Sequence, residues 1–196
     1  MIDFSKVNII LGSGSPRRKH LFEVMEIPHQ VIVKSIDEQY APTLKQSEIT
    51  DFLAQTKGMV FQKSLGHKDL VVTADTIVWF DQNALGKPSD ETHAIEMLKT
   101  LSGQTHQVFT SVCFTTAKHQ HTFHEKTDVT FGRLSEEFIK TYVRQEKPLD
   151  KAGAYGIQDG FGALAVSEIC GSYTNVIGLP CAQTYIELEK YIKMYF

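Results

Sequence analysis

Leu70-Val71-Val72-Thr73-Ala74-Asp75-Thr76-Ile77-Val78-Trp79-Phe80 decides how this chain is read. A run this apolar on both alternating sides describes a strand covered on two faces, as in sheets with helices packed against them. A carboxylate inside such a strand is costly unless a cation or hydrogen-bond donors meet it. Whatever meets Asp75 is therefore the organising contact of the chain.

The length of 196 residues suffices for a sizeable core in one domain or two lobes. A hydrophobic content of 42% and a charged content of 22% are those of an ordinary globular protein. The net charge of −3 offers no field for a nucleic-acid backbone, so any anion has to be bound by a local cluster. Three cysteines, Cys113, Cys170 and Cys181, with no CxxC pair point to reduced thiols and a cytoplasmic protein. The N-terminal residues lack the pattern of a signal peptide, and no apolar run approaches a membrane span of ~20 residues.

Upstream of the central strand, Val7 to Leu11 reads as a short strand running into Gly12-Ser13-Gly14-Ser15-Pro16-Arg17-Arg18. Ser15 is a good N-cap and Pro16 suits the first helical position, which predicts a helix to about Glu26. Two arginines in a first turn oppose the helix dipole, and an anion docked there removes the conflict. The alternative is a solvated basic turn. Neither the third glycine of a dinucleotide fingerprint nor a P-loop is present, which disfavours both of those enzyme classes. A second strand is predicted at His29–Lys34, and a helix from Ser47 to about Leu65 with Ile49, Leu53, Thr56 and Val60 along one face. Lys57 falls on the shoulder of that stripe, where it either snorkels to water or points into a cleft.

Downstream, a turn at Asp81–Asn83 leads to Leu85-Gly86-Lys87-Pro88 and a helix capped by Ser89. Strands are predicted at Thr105–Thr116 and His121–Phe131, joined by a turn near Lys118. Alternation puts His119 and His121 on one face and His124 on the other, which favours exposed histidines over a metal site. Ser135 caps a further helix. The glycines and alanines of Asp150–Gly162 let a backbone come close to something flat or anionic, the alternative being a flexible loop; strands follow at Ala163–Ile169 and Thr174–Ile177, and a last helix starts near Pro180. The alternation of strands and helices gives an α/β or mixed α+β sheet.

Together, Ser13-Gly14-Ser15-Pro16-Arg17-Arg18, Ala74-Asp75-Thr76, Gly86-Lys87-Pro88, Ser102-Gly103-Gln104-Thr105-His106, Lys151-Ala152-Gly153-Ala154-Tyr155-Gly156-Ile157-Gln158 and Gly171-Ser172-Tyr173-Thr174-Asn175-Val176-Ile177-Gly178-Leu179-Pro180 resemble the Maf family of nucleotide pyrophosphatases. The blocks follow family order over nearly the whole chain. The resemblance implies one domain over residues 1–196, an α/β fold of Maf/ITPase type with an elongated mixed sheet flanked by helices and a central cleft, often dimeric. It implies hydrolysis of a nucleoside triphosphate between the α and β phosphates with a divalent cation, Mg²⁺ or Mn²⁺. Asp75 corresponds to the family's proton acceptor. Arg17, Thr76 and Gln158 stand where base preference is set, in the combination of the subfamily acting on dTTP and UTP. Ser13, Ser15, Arg17 and Arg18 would hold phosphate, Lys57 and Lys87 would neutralise further oxygens, and Asp75 with Glu38 would hold the metal. Asp75 as metal ligand and Asp75 as proton acceptor both stand at this point. For Asp75 and Thr76 both to touch substrate, the strand has to end or bend between them. Gly12 replaces the family's usual alanine, which loosens the strand exit, and the segment after Gln158 is one residue longer than in many relatives. A nucleotide-binding regulator of septum formation, or a pyrophosphatase of different base preference, are the rival readings.

Overall fold

In the computed structural model, which describes residues 2–196, seven strands follow the order β2-β1-β3-β5-β6-β7, with β4 paired to β3. Both parallel and antiparallel pairs occur, so the sheet is mixed, and the α/β class expected from the sequence holds. The chain divides into two compact units, with three boundaries inside β3, β5 and β6 and a fourth after Ile177.

The first unit comprises the residues up to Asp75, Thr110–Glu125 and Gly178–Phe196. Here β1 (Asn8–Leu11) pairs in parallel with β2 (Gln30–Val31) on one side and β3 (Asp69–Phe80) on the other, Leu11 lying opposite Val72. Two parallel neighbours bury Ile9 and Leu11 as a continuous apolar run requires. The predicted second strand shrinks to two residues: after Ile32 N–H donates to the Leu11 carbonyl at 3.1 Å, the chain leaves the sheet edge and Val33 is exposed.

Helix α1 (Pro16–Val24) starts where Ser15 caps it, its side chain accepting from Arg18 N–H at 3.4 Å. Helix α2 (Ser47–Gln62) buries Ile49, Thr50, Leu53, Ala54, Gly58 and Phe61. Its buried stripe is rotated from the predicted one: Val60 is exposed and Thr56 half-buried. Small residues explain the rotation. Thr50 Oγ1 and Ser111 Oγ are hydrogen-bonded at 2.6 Å, Thr73 Oγ1 donates to the Ala54 carbonyl at 2.7 Å, and a Cβ on Gly58 would overlap Thr115 Oγ1. Positions 50, 54 and 58 are successive i, i+4 neighbours, so one stripe of small side chains seats the helix on the strands. The residues Thr110–Thr115 of β5 (Thr105–Thr115) and Gln120–Glu125 of β6 (Gln120–Phe131) belong to this unit, and Thr116 N–H closes their turn on the His119 carbonyl at 2.9 Å. The C-terminal helix, Cys181–Tyr195, completes this unit, burying Leu188, Tyr191 and Ile192.

The second unit comprises Thr76–Phe109 and Lys126–Ile177. The short β4 (Asn83–Leu85) turns back antiparallel on β3, Trp79 opposite Ala84, in addition to the turn expected at Asp81–Asn83. Helix α3 (Glu91–Leu101) is capped by Asp90, which accepts from His93 N–H at 2.8 Å, rather than by the expected Ser89. Ser135 caps α4 (Glu136–Glu146) as expected. The glycine-rich segment contains a 3-10 turn at Ala152–Ala154 and runs into α5 (Gly160–Ala165), which is followed by β7 (Val166–Cys170).

The strand expected at Thr174–Ile177 is instead α6 (Tyr173–Ile177), the next helix being α7 (Cys181–Tyr195). Ser172 Oγ accepts from Asn175 N–H at 3.2 Å at its start, and the buried Asn175 amide donates to the Val108 carbonyl at 3.1 Å and to Thr127 Oγ1 at 2.9 Å. Those long-range bonds override a local β-branched composition. Strand β3 runs unbroken to Phe80, so it does not end after Asp75. No helix among the described residues is long and apolar enough to cross a membrane.

Candidate active site

Asp75 is met by a lysine. Its Oδ1 lies 2.6 Å from Lys57 Nζ, and the same ammonium lies 2.8 Å from Glu38 Oε1. The geometry follows from the way α2 is seated. Thr73 and Asp75 are two apart on β3 and share a face, while Ala54 and Lys57 are three apart on α2 and share another. Fixing Thr73 to Ala54 brings the Lys57 stem over Asp75. Lys57 therefore does not snorkel: its side chain keeps only 16% of its exposure.

Glu38 reaches this point on the irregular segment after β2. Lys34, four residues earlier, donates to the Val60 carbonyl at 3.1 Å and to Ser64 Oγ at 3.3 Å, and its ammonium stands 4.5 Å over the Phe61 ring. These contacts tie the segment to the last turn of α2, where a cation also suits the helix dipole.

At the start of α1, Ser13 is buried, and its hydroxyl accepts from Ser15 N–H at 3.3 Å and from Arg18 Nη1 at 3.4 Å. Arg18 also donates Nε–H to the Gly178 carbonyl at 2.8 Å. One guanidinium thus joins the loop after β1 to the chain just before α7, a contact across 160 positions that sequence reasoning missed. Arg17, half-buried beside it, stands in the same first turn. A Cβ on Gly12 would lie 2.8 Å from the Thr73 methyl, so glycine here packs β1 closely on β3 rather than loosening the strand exit.

Burial raises the Asp75 carboxyl above the ordinary carboxylate range; Lys57 and Arg18 act against that shift and Glu38 adds to it. Burial likewise lowers the Arg18 guanidinium, with Asp75 working in the opposite direction. Two arginines, a lysine and two carboxylates thus form one electrostatic cluster in the first unit, with the carboxylate at its centre made more basic than in water.

Thr76, Lys87 and Gln158 belong to the second unit. Thr76 is half-buried on β3 directly after Asp75. Lys87 is exposed, and the preceding Gly86 carbonyl accepts from Gly153 N–H at 3.0 Å. Gln158 is exposed, directly after the buried run Gly153–Ile157. The three hairpin histidines each face a different neighbour: His119 the Tyr195 ring, His121 the Glu187 carboxylate at 3.1 Å and His124 the Asp51 carboxylate at 3.2 Å. Among the described residues, no group of three or more His, Cys, Asp or Glu side chains is arranged to hold a metal ion.

Two carboxylates on one ammonium are hard oxygen donors that a divalent cation can share with phosphate oxygens. The arrangement can also take a proton at Asp75 and neutralise an anion with Arg17, Arg18 and Lys57.

Residues 8–191 match the family described as Maf-like protein. The chain is 48% identical over 185 residues to a dTTP/UTP pyrophosphatase of Flavobacterium psychrophilum, covering 94% of this chain and 95% of that one. It is 48% identical over 180 residues to a dTTP/UTP pyrophosphatase of Flavobacterium johnsoniae, covering 92% and 93%. Among solved structures, a HAM1 protein from Coxiella burnetii resembles it with a TM-score of 0.51 at 12% identity, over 96% of this chain and 99% of that one, a likeness of fold.

Proposed function

The chain belongs to the Maf-like protein family, and on that premise we propose that it is a nucleoside triphosphate pyrophosphatase acting on dTTP and UTP. The observation that carries the chemistry is the Lys57 ammonium held at 2.6 Å from Asp75 and 2.8 Å from Glu38. The base preference rests on the relatives named dTTP/UTP pyrophosphatase.

Water bonds to phosphorus of the α–β anhydride, the bridging P–O bond breaks, and pyrophosphate leaves with the electron pair. Asp75 takes the proton of the attacking water. A carboxylate made more basic by burial suits that task, since a general base works best when its pKa approaches the working pH. Lys57 holds Asp75 Oδ1, which orients Oδ2 toward the water. Ser13, Ser15 and Arg17 bind the triphosphate at the start of α1, with Arg18 fixing the loop and adding positive charge. Lys87 neutralises phosphate charge developing on departure. Asp75 and Glu38 fit Mg²⁺ or Mn²⁺ as oxygen ligands, and such an ion, when bound, neutralises phosphate charge and acidifies the attacking water.

Arg17, Thr76 and Gln158 select the base. The Gln158 amide offers a carbonyl and an N–H₂, which match the mixed donor and acceptor edge shared by thymine and uracil. Cytosine leaves those groups mismatched. We read residues 1–196 as one domain because three of the four unit boundaries interrupt strands, the fourth lying between α6 and α7. A cytoplasmic location accords with Cys113, Cys170 and Cys181, which no disulfide joins among the described residues. A homodimer is part of the same reading.

A panel of nucleoside triphosphates with added Mg²⁺ or Mn²⁺, assayed for pyrophosphate, tests it. Release from dTTP and UTP well ahead of CTP and purine nucleotides is expected. Turnover led by a purine triphosphate overturns the base preference, and binding without turnover returns the regulatory reading.

A further inference from the structure

Gln158 sits in a tight turn whose closure depends on the next residue. Asp159 N–H donates to the Gly156 carbonyl at 3.3 Å, which makes Ile157 and Gln158 the two central residues of a four-residue turn. Ile157 faces inward and Gln158 outward. The flanks are pinned. The Tyr155 hydroxyl is hydrogen-bonded to His106 Nε2 at 2.8 Å, Gly156 N–H donates to the Tyr142 hydroxyl at 3.3 Å, and Gly153 N–H donates to the Gly86 carbonyl.

The Asp159 side chain behaves unlike its position. It precedes α5, where an aspartate ordinarily turns forward to accept from the first free N–H groups of the helix, yet it makes no such capping bond. Its carboxylate instead folds back across the turn: a Cβ on Gly156 would overlap Asp159 Oδ2, and that oxygen stands 3.7 Å from Lys151 Nζ. Lys151 in turn meets Asp150 Oδ1 at 3.1 Å, and its side chain is 14% exposed. Lys151 and Asp159 thus bracket the segment 152–158 from its two ends, one cation and one carboxylate, both largely withdrawn from water. Asp159 Oδ2 is buried without a hydrogen bond among the described residues, so the 3.7 Å ion pair and its packing against Gly156 direct it toward the turn rather than toward α5.

We propose that Asp159 and Lys151 are positioning residues for base selection, holding the turn that presents Gln158. The inference rests on the dTTP/UTP reading above. Neither side chain touches the nucleotide. Each acts by restricting where the Gln158 amide lies, because a base edge is read only when its polar partner is held in one geometry.

The test compares kcat/KM for dTTP, UTP and CTP, with thermal melting, in the wild type, Asp159→Asn, Lys151→Met and Lys151→Arg. The expected result is a fall of tenfold or more in the UTP-to-CTP ratio for Asp159→Asn and Lys151→Met, carried by KM, with kcat for UTP within about threefold of wild type. Lys151→Arg retains the ratio. A purely structural role lowers all three substrates together and leaves the ratio unchanged, and that result in either folded variant overturns the proposal. Should Asp159→Asn fail to fold, Lys151→Met alone decides in the same way. Wild-type protein that selects UTP over CTP while both variants keep the wild-type ratio overturns the positioning role only. Wild-type protein without dTTP or UTP turnover overturns the function and this inference together.

Discussion

Replacing Asp75 by asparagine separates chemistry from folding at one atom. Asparagine keeps the shape, and its carbonyl still accepts from Lys57, which retains Glu38 at 2.8 Å. Loss of a general base lowers kcat by about 10²–10⁴-fold, or about 3–5 kcal/mol of transition-state stabilisation. Stability moves differently. Burial dominates the Asp75 shift and raises its pKa in the folded protein, so between the unfolded and folded values the folded state holds more protons. The associated stability is present in acid and lost as pH rises through the raised value. Above that raised value the ionised carboxylate is therefore a net cost that asparagine removes. Asp75→Asn is expected to melt at or above the wild-type temperature at pH 7.5, with the difference closing toward pH 4. One kcal/mol corresponds to roughly 2–4 °C for a chain of this length. The assay pairs pyrophosphate release from dTTP with melting curves across pH. In the wild type, kcat/KM should rise with pH through the raised Asp75 value. An active variant refutes the base assignment. A variant melting several degrees below wild type at pH 7.5 refutes the electrostatic account.

Two further substitutions probe the scaffold. Gly58→Ala forces a methyl onto Thr115 Oγ1 and lifts α2 from β5, which should cost about 1–3 kcal/mol in a denaturant titration and lower kcat as Lys57 moves off Asp75. His106 is buried and its pKa is lowered from 6.5 to about 4 by desolvation, so the folded state binds fewer protons than the unfolded one between those values. The stability it contributes is complete above the unfolded pKa and is lost as pH falls toward 4, about 3 kcal/mol in all. His106→Gln should melt with a shallower acid dependence between pH 7 and 4.5; an unchanged slope contradicts the buried neutral imidazole.

What the sequence made legible follows the range of the interactions. The start of α1 was readable because Ser15, Pro16 and Arg17 carry local signals. The run through Asp75 is readable because β3 buries both of its alternating sets of side chains, Val71 with Leu70 and Val72, and Val78 with Ile77 and Trp79. Helix α6 was misread because its start depends on Ser172 and its anchoring on Asn175 bonds to Val108 and Thr127, none of which shows in a β-branched pentapeptide. The glycines at 160 and 162 concealed α5 for a related reason: a Cβ at Gly162 would overlap the Ile157 carbonyl, so glycine there serves packing rather than looseness. In the site, Asp75 announces itself as a buried charge, but the lysine that meets it does not: Lys57 is expected on phosphate oxygens, and its pairing with Asp75 and Glu38 shows only in the structure. Their meeting depends on the small residues 50, 54 and 58, whose role is visible only once α2 lies on its strands. The bond from Arg18 to Gly178 has no local signature.

On this reading the Asp75–Lys57–Glu38 centre splits the α–β anhydride of a pyrimidine nucleoside triphosphate. The decisive measurement follows dTTP by phosphorus NMR in the presence of the protein and Mg²⁺. Stoichiometric growth of dTMP and pyrophosphate resonances is the predicted result. Growth of dTDP and inorganic phosphate, or an unchanged dTTP spectrum, contradicts it.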